Sequence, residues 1–174
     1  MSIGGPHPDP EPAQGVAENG LPRESVWDYP RPPAIRPEAR EVTVSLGGIE
    51  IAHSRRSVKI CETAGPPVVY LPPGDVDRDA VRPADGGSYC EWKGNASYFD
   101  AVAGSAVAPR AAWSYAAPQR GYEEIADWIA FYPGRVECRL GKERVEPQPG
   151  EFYGGWITAE ITGPFKGVPG SGGW

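Results

Sequence analysis

The sequence predicts an all-β domain, mainly antiparallel, with at most one or two short helices. Among its 174 residues, 23 are glycine and 21 are proline, and these residue types break helices and favour turns. Apolar and polar side chains alternate in short runs such as residues 42–46, and this alternation indicates half-buried strands. Because the length suits one core and is short for two, we expect residues 23–174 to form a single β domain.

The first 22 residues are expected to form a flexible arm. They are rich in proline and glycine and contain almost nothing to bury, which is typical of segments outside a folded core. The domain would begin with an extended segment, since three of residues 30–33 are proline and proline disfavours helix in the residue before it. Trp27 and Tyr29 are expected to pin this segment across a sheet. Alternatively, Tyr29 or Arg31 forms one wall of a site.

A hairpin is predicted around Gly47-Gly48, because a two-glycine turn here separates two runs of alternating apolar residues. The register would pair Leu46 with Ile49, Val44 with Ile51 and Val42 with His53. His53 would then lie at the end of the apolar face, either as a core-edge histidine or as part of a pocket.

Residues 58–63 place Glu62 on the same strand face as Val58 and Ile60. A carboxylate on an apolar face needs a partner, because burying it alone is costly. The alternative is that the strand ends before Glu62 and the side chain faces water.

The remaining strands follow from short apolar runs. The run at residues 68–71 is bracketed by prolines and predicts a strand buried on both faces. Further strands are expected at residues 96–102, at 111–115 with Trp113 and Tyr115 on one face, and near 129–132 after a single helical turn. A second hairpin would join residues 136–140 to Val145 and make Cys138 a core thiol. The apolar tail after residue 151 should pack either on the domain or on a second copy. Packing on a second copy would make the protein a homo-oligomer.

Residues 89–98 concentrate more chemistry than any other stretch, with a thiol, a carboxylate, an amine, an indole and two phenols. As a strand, this stretch would place Cys90 and Trp92 on one face. Tyr89, Glu91 and Lys93 would lie on the other. Gly94 would end the strand or allow a bulge.

Charge and cysteine content exclude several classes of function. The net charge of −6 argues against a nucleic-acid-binding protein, which would present a concentrated basic face. The three cysteines lack CxxC spacing, so neither a disulfide framework nor a zinc site is expected. Asp75, Asp77 and Asp79 lack the glycine and distal glutamate of a calcium loop, although Asp75 could cap a helical turn. No apolar run is long enough for a membrane span. We therefore expect a cytoplasmic protein without metal or cofactor.

These motifs together resemble a small bacterial family, domain of unknown function 427, which has been filed under a nucleotidyltransferase-like label. The resemblance extends over residues 24–174. The matching segments are residues 24–32, the Gly47-Gly48 hairpin, Glu62-Thr63, Val69-Tyr70-Leu71-Pro72, Cys90-Glu91-Trp92-Lys93-Gly94, Tyr98, Trp113-Ser114-Tyr115, Ala130-Phe131-Tyr132-Pro133, residues 154–156 and residues 163–167. It implies a compact, tent-like fold of two sheets. It also implies that seven side chains lie on adjacent strands, namely Glu62, Tyr70, Cys90, Lys93, Tyr98, Trp113 and Tyr132.

Three functions remain open at this point. The first is a small-molecule-binding β domain, whose ligand is held by Tyr70, Tyr98, Trp113 and Tyr132 and oriented by Lys93 and Glu62. The second is an enzyme of nucleotide-related metabolism that uses Lys93, Glu62 or Cys90. In that case the lysine would act as a base or nucleophile, and the thiol would need a cationic neighbour. The third is a structural or partner-docking module. Lys93 could also simply pair with Glu62.

Overall fold

A computed structural model describes residues 7–150 and 152–174, and within these residues the protein is an all-β domain. This confirms the predicted fold class. The strands are β1 Glu24–Ser25, β2 Ala34–Pro37, β3 Val42–Leu46, β4 Ile49–Ser54, β5 Val58–Cys61, β6 Val68–Leu71, β7 Val81–Cys90, β8 Gly94–Ala103, β9 Ala106–Ser114, β10 Ile129–Phe131, β11 Glu137–Leu140, β12 Glu143–Arg144, β13 Glu146–Pro147, β14 Trp156–Ile157 and β15 Ile161–Thr162.

Helical structure in the described residues is limited to short 3-10 turns. They lie at Val26–Asp28, Pro73–Asp75, Arg78–Ala80 and Glu123–Ile125. The Arg78–Ala80 turn is capped by Asp77, whose side chain accepts a hydrogen bond from the backbone N–H of Asp79. Asp75 instead accepts hydrogen bonds from Ser54 and Arg56. None of the helices in the described part of the chain is long and apolar enough to cross a membrane.

Two sheets account for most of the strands. A seven-stranded sheet has the order β2-β5-β6-β10-β9-β8-β7, and a four-stranded sheet has the order β12-β11-β3-β4. The face between them is filled by a cluster that we call the inter-sheet core. Its members come from both sheets and include Val42, Val44, Val69, Leu71, Phe131 and Leu140.

The opposite face of the seven-stranded sheet carries rings. We call this group the aromatic cluster, and it includes Tyr70, Tyr98, Trp113, Tyr115, Tyr122 and Tyr132. Strand β6 shows how the two clusters arise, because Val69 and Leu71 belong to the inter-sheet core and Tyr70 belongs to the aromatic cluster. Alternation along a strand sends neighbouring side chains to opposite faces. The prediction of a strand buried on both faces is therefore confirmed.

The β3–β4 hairpin forms as predicted, but its register changes part-way along. Leu46 pairs with Ile49, whereas a bulge between Val44 and Ser45 shifts the pairing so that Val44 meets Ala52 and Val42 meets Ser54. The predicted pairing of Val42 with His53 is therefore wrong, since one extra residue enters β4. His53 lies outside both the core and the cavity described below. It is exposed, and its ring contacts Glu41 at 2.9 Å.

The second hairpin also forms. Strands β11 and β12 pair, and the backbone N–H of Val145 donates to the carbonyl of Cys138 at 2.9 Å. Cys138 is buried in the inter-sheet core, as predicted. Burial raises the pKa of its thiol.

The N-terminal segment contacts the domain in several places. Glu11 exchanges two hydrogen bonds with Gly163, and the ring of His7 stacks on Trp27 with centroids 3.9 Å apart. The side-chain amide of Asn19 donates to Glu143 at 2.9 Å and to Glu160 at 2.8 Å. The first six residues of the expected arm lie outside the described residues.

Two buried carboxylates close to this segment share one arginine. Arg40 lies 2.9 Å from Glu38 and 3.0 Å from Glu160. Glu160 also accepts a hydrogen bond from Thr158 at 2.8 Å. We call this arrangement the Arg40 network, and each of its buried charges has an opposite charge beside it.

Candidate functional site

A cavity of about 540 Å³ lies against the aromatic cluster. Its walls include all seven residues that the family resemblance places on adjacent strands, namely Glu62, Tyr70, Cys90, Lys93, Tyr98, Trp113 and Tyr132. Strands distant in sequence bring these side chains together, because β6, β10, β9 and β8 are consecutive neighbours in the sheet.

The aromatic walls depend on a small residue between two large ones. Ala130 in β10 pairs with Tyr70 of β6 on one side and with Trp113 of β9 on the other. A methyl group at this position leaves room for the flanking rings to meet across β10. Trp113 donates from its indole nitrogen to the Tyr70 hydroxyl at 3.3 Å, and its ring lies 4.6 Å from that of Tyr132.

The C-terminal segment closes one side of the cavity. A Cβ atom added at Gly154 would lie only 2.1 Å from the Trp113 ring, so the backbone at this glycine rests directly on the indole. Tyr132 donates from its hydroxyl to the carbonyl of Phe152 at 3.0 Å. Phe152, Tyr153 and Trp174 complete this wall.

Lys93 enters the cavity from a tight turn. Strand β7 ends at Cys90, residues 91–93 form the turn, and β8 begins at Gly94, where φ is +104°. The prediction that residues 89–93 alternate along one strand is therefore wrong, because the chain reverses direction there and Cys90 pairs with Gly94. The backbone N–H of Gln119 donates to the Lys93 carbonyl at 3.0 Å and fixes the turn.

Lys93 is a buried residue without a charged partner among the described residues. The residue is only 7 % exposed, and within residues 7–150 and 152–174 its side chain forms no hydrogen bond or ion pair. A buried charge is costly unless a partner or bound solvent satisfies it. Lys93 therefore differs from the buried charges of the Arg40 network.

Glu62 lies one residue beyond the end of β5 and is half-buried. Strand β5 ends before Glu62, as the second alternative from the sequence expected. The side chain is not left to bulk water, because it lines the cavity together with Ile60 and has a hydrogen-bond partner, as the first alternative required. The indole nitrogen of Trp92 donates to the Glu62 carboxylate at 3.1 Å. Glu62 and Lys93 line the same cavity, yet the two side chains form no ion pair.

Three buried phenols of the cavity, those of Tyr70, Tyr115 and Tyr132, remain protonated at neutral pH. Burial raises the pKa of Tyr70, of Tyr115 and of Tyr132 above the usual value of 10. For Tyr115, the positive charge of Lys93 offsets part of this increase in pKa. The cavity thus offers a cation together with neutral hydroxyl groups.

The three cysteines occupy different environments and none forms a disulfide. Cys61 and Cys138 are buried, and burial raises the pKa of Cys61 to about 11. A thiol with such a pKa is almost entirely protonated near neutral pH, and the thiolate is the reactive form. Cys90 is the cysteine that lines the cavity.

Sequence reasoning missed several residues of the cavity wall. Tyr115 shares strand parity with Trp113, and that signal could have placed it in the site. Phe152, Tyr153 and Trp174 carried no such signal, because the position of the tail depends on contacts between distant parts of the chain. Arg31 lines the cavity, in agreement with one of the two alternatives for its segment, whereas Tyr29 packs in a separate cluster.

The family model for a domain of unknown function (DUF427) matches residues 34–141, which include most of the seven-stranded sheet and Lys93. The chain belongs to this family. The match confirms the resemblance found in the sequence. No curated protein matches the chain. The C-terminal wall of the cavity, which begins at Phe152, lies outside the part of the chain that the family model matches.

Among the residues that the structure describes, no group of three or more His, Cys, Asp or Glu side chains is placed to hold a metal ion.

Proposed function

We propose that this DUF427 protein is a small-molecule-binding domain. Its ligand would place an anionic group against Lys93 and an apolar or aromatic body among the rings of Tyr70, Tyr98, Trp113 and Tyr132. The observation that carries the proposal is Lys93, a residue only 7 % exposed that lines a cavity and forms no hydrogen bond or ion pair through its side chain within the described residues.

The shape and chemistry of the cavity support this proposal. Sites for small ligands usually have volumes of about 300–1,000 Å³, with apolar walls and a few polar groups that set the orientation. The cavity of about 540 Å³ lies within that range, and rings provide most of its walls. An anion at Lys93 would supply the missing opposite charge, and the protonated phenol of Tyr70, which accepts a hydrogen bond from Trp113, could donate one to it.

The proposal also includes a cellular setting. All three thiols are free, and free cysteines are typical of proteins in a reducing compartment. We place the protein in the cytoplasm on that basis.

A thermal-shift panel of aromatic carboxylates and nucleoside monophosphates tests the proposal. A ligand present at 100 times its dissociation constant should stabilise the protein by about 2.7 kcal/mol. Lys93→Met should abolish the response. Lys142→Met is the matched control, because it removes the same charge from an exposed turn and should respond like the wild type. The proposal fails if no anion stabilises the wild type, or if the Lys93→Met variant responds equally.

A further inference from the structure

The cavity carries charges of both signs that are not paired with one another. Arg31, Lys93 and Lys166 line it together with Glu62 and Glu91. Within the described residues, none of these five side chains takes part in an ion pair. Lys93 is the buried cation of this set, and Glu62 is its half-buried acid.

Trp92 supplies a hydrogen bond to the acid but no charge to balance it. The indole of Trp92 holds one oxygen of the Glu62 carboxylate, and the next residue in the same turn is Lys93. The turn is itself fixed by the hydrogen bond from Gln119 to the Lys93 carbonyl. The acid is therefore oriented by a neutral donor, and its charge is left without a cation.

We infer that the ligand is a small aromatic zwitterion, whose acid group meets Lys93 and whose protonated amine meets Glu62. The inference rests on the proposed function, because it concerns the same cavity. A simple anion would satisfy Lys93 and would also be repelled by Glu62. A ligand that carries both charges would compensate both side chains, and a binding site discriminates against ligands that leave a charged group unpaired.

The rings around the cavity indicate the chemistry of the rest of the ligand. Trp113 and Tyr132 lie at a centroid distance of 4.6 Å, and Tyr70 meets Trp113 edge to face at 6.3 Å. Ring contacts of this kind favour an aromatic body over a polar one. The chemical class is thus an aromatic amino acid or an aromatic amine that also carries an acid.

Three probes with the same ring separate the contributions of the two charges. L-phenylalanine carries both, 3-phenylpropionate carries only the acid, and phenethylamine carries only the amine. In isothermal titration of the protein, L-phenylalanine should bind about tenfold more tightly than either of the others.

Variants at Glu62 and Trp92 provide the decisive comparison. Glu62→Gln should weaken L-phenylalanine binding about tenfold and strengthen 3-phenylpropionate binding, because the repulsion is removed. Trp92→Phe frees the carboxylate and should reduce the preference for the zwitterion without reversing it. Lys93→Met should abolish binding of both acids.

The outcomes separate this inference from the proposed function. If 3-phenylpropionate binds as tightly as L-phenylalanine and Glu62→Gln affects both alike, the zwitterion inference is overturned and the proposed function stands. If neither acid binds at millimolar concentration, the inference is overturned. If, in addition, no other anion stabilises the protein, the proposed function fails as well.

Discussion

The two faces of the seven-stranded sheet are built from adjacent residues and have opposite characters. On one face, Leu71 and Phe131 pack against the four-stranded sheet and are completely buried. On the other face, Tyr70 and Tyr132 border a cavity that loops and the C-terminal segment surround. A second sheet supplies regular packing partners along whole strands, whereas loops leave space between their contacts. The inter-sheet core is therefore closely packed between two sheets, whereas the aromatic face borders open space.

Buried charges show the same contrast. Glu38 and Glu160 are both buried, and Arg40 forms an ion pair with each of them. Lys93 is buried to a similar degree but has no such partner within the described residues. Compensated charges are typical of structural networks, and an uncompensated charge beside a cavity is typical of a binding site.

The largest predicted effect comes from truncating the inter-sheet core. Phe131→Ala should lower the free energy of unfolding by about 3–5 kcal/mol, because it leaves a new void in a closed core. Tyr132→Ala removes a ring that already borders a cavity, so we expect a loss of only roughly 2 kcal/mol. Urea unfolding measures both. An equal loss of stability for the two variants would show that the aromatic face is packed as closely as the inter-sheet core.

Gly154→Ala should disturb the aromatic face selectively. The added methyl group would collide with the Trp113 ring at 2.1 Å, and overpacking of this kind costs about 2–3 kcal/mol. Tryptophan fluorescence should shift together with the loss of stability. Gly172→Ala is the matched control, because a Cβ there meets nothing within 4 Å. If Gly154→Ala behaved like this control, the C-terminal segment would not rest on Trp113.

The Arg40 network predicts a pH dependence. Burial alone would raise the pKa of Glu160, but hydrogen bonds from Thr158 and Asn19 and the charge of Arg40 lower it below the ordinary value of 4.5. A carboxyl group with a lowered folded pKa contributes stability above its unfolded pKa, and this contribution is lost as pH falls through the folded pKa.

Glu160→Gln isolates that contribution. At neutral pH the variant should be less stable by about 1.5 kcal/mol, which is typical of hydrogen bonds to a charged group. The difference from the wild type should shrink as pH falls below about 5. Chemical unfolding at a series of pH values measures it. A difference that stayed constant down to low pH would show that the charge of Glu160 is not what stabilises the network.

Much of the fold could be predicted because local patterns determine it. The Gly47-Gly48 turn and the alternation before it identified the first hairpin, and the proline-bracketed run identified β6. The bulge at Val44 could not be predicted, since it depends on how one strand fits its neighbours. The turn at residues 91–93 was missed for a similar reason, because its residues are as compatible with a strand as with a turn.

The candidate site could be assembled only through the family resemblance. Strand patterns indicate which face a ring occupies, but they do not indicate which strands are neighbours. The segments shared with DUF427 proteins supplied that link for residues such as Tyr70 and Trp113. The resemblance also included residues 154–156 and 163–167, but nothing in the sequence indicated that this tail packs against Trp113, because that placement depends on contacts such as the one at Gly154.

The stability of the ligand-free Lys93→Met variant tests whether Lys93 belongs to a ligand site. If Lys93 is kept without a protein partner for the sake of a ligand, its replacement should raise the free energy of unfolding by about 1 kcal/mol, and binding of aromatic anions should be lost. The exposed control, Lys142→Met, should change neither. If Lys93→Met instead destabilises the protein, and Glu62→Gln does so by the same amount, the two residues form a structural pair and the cavity is not a ligand site.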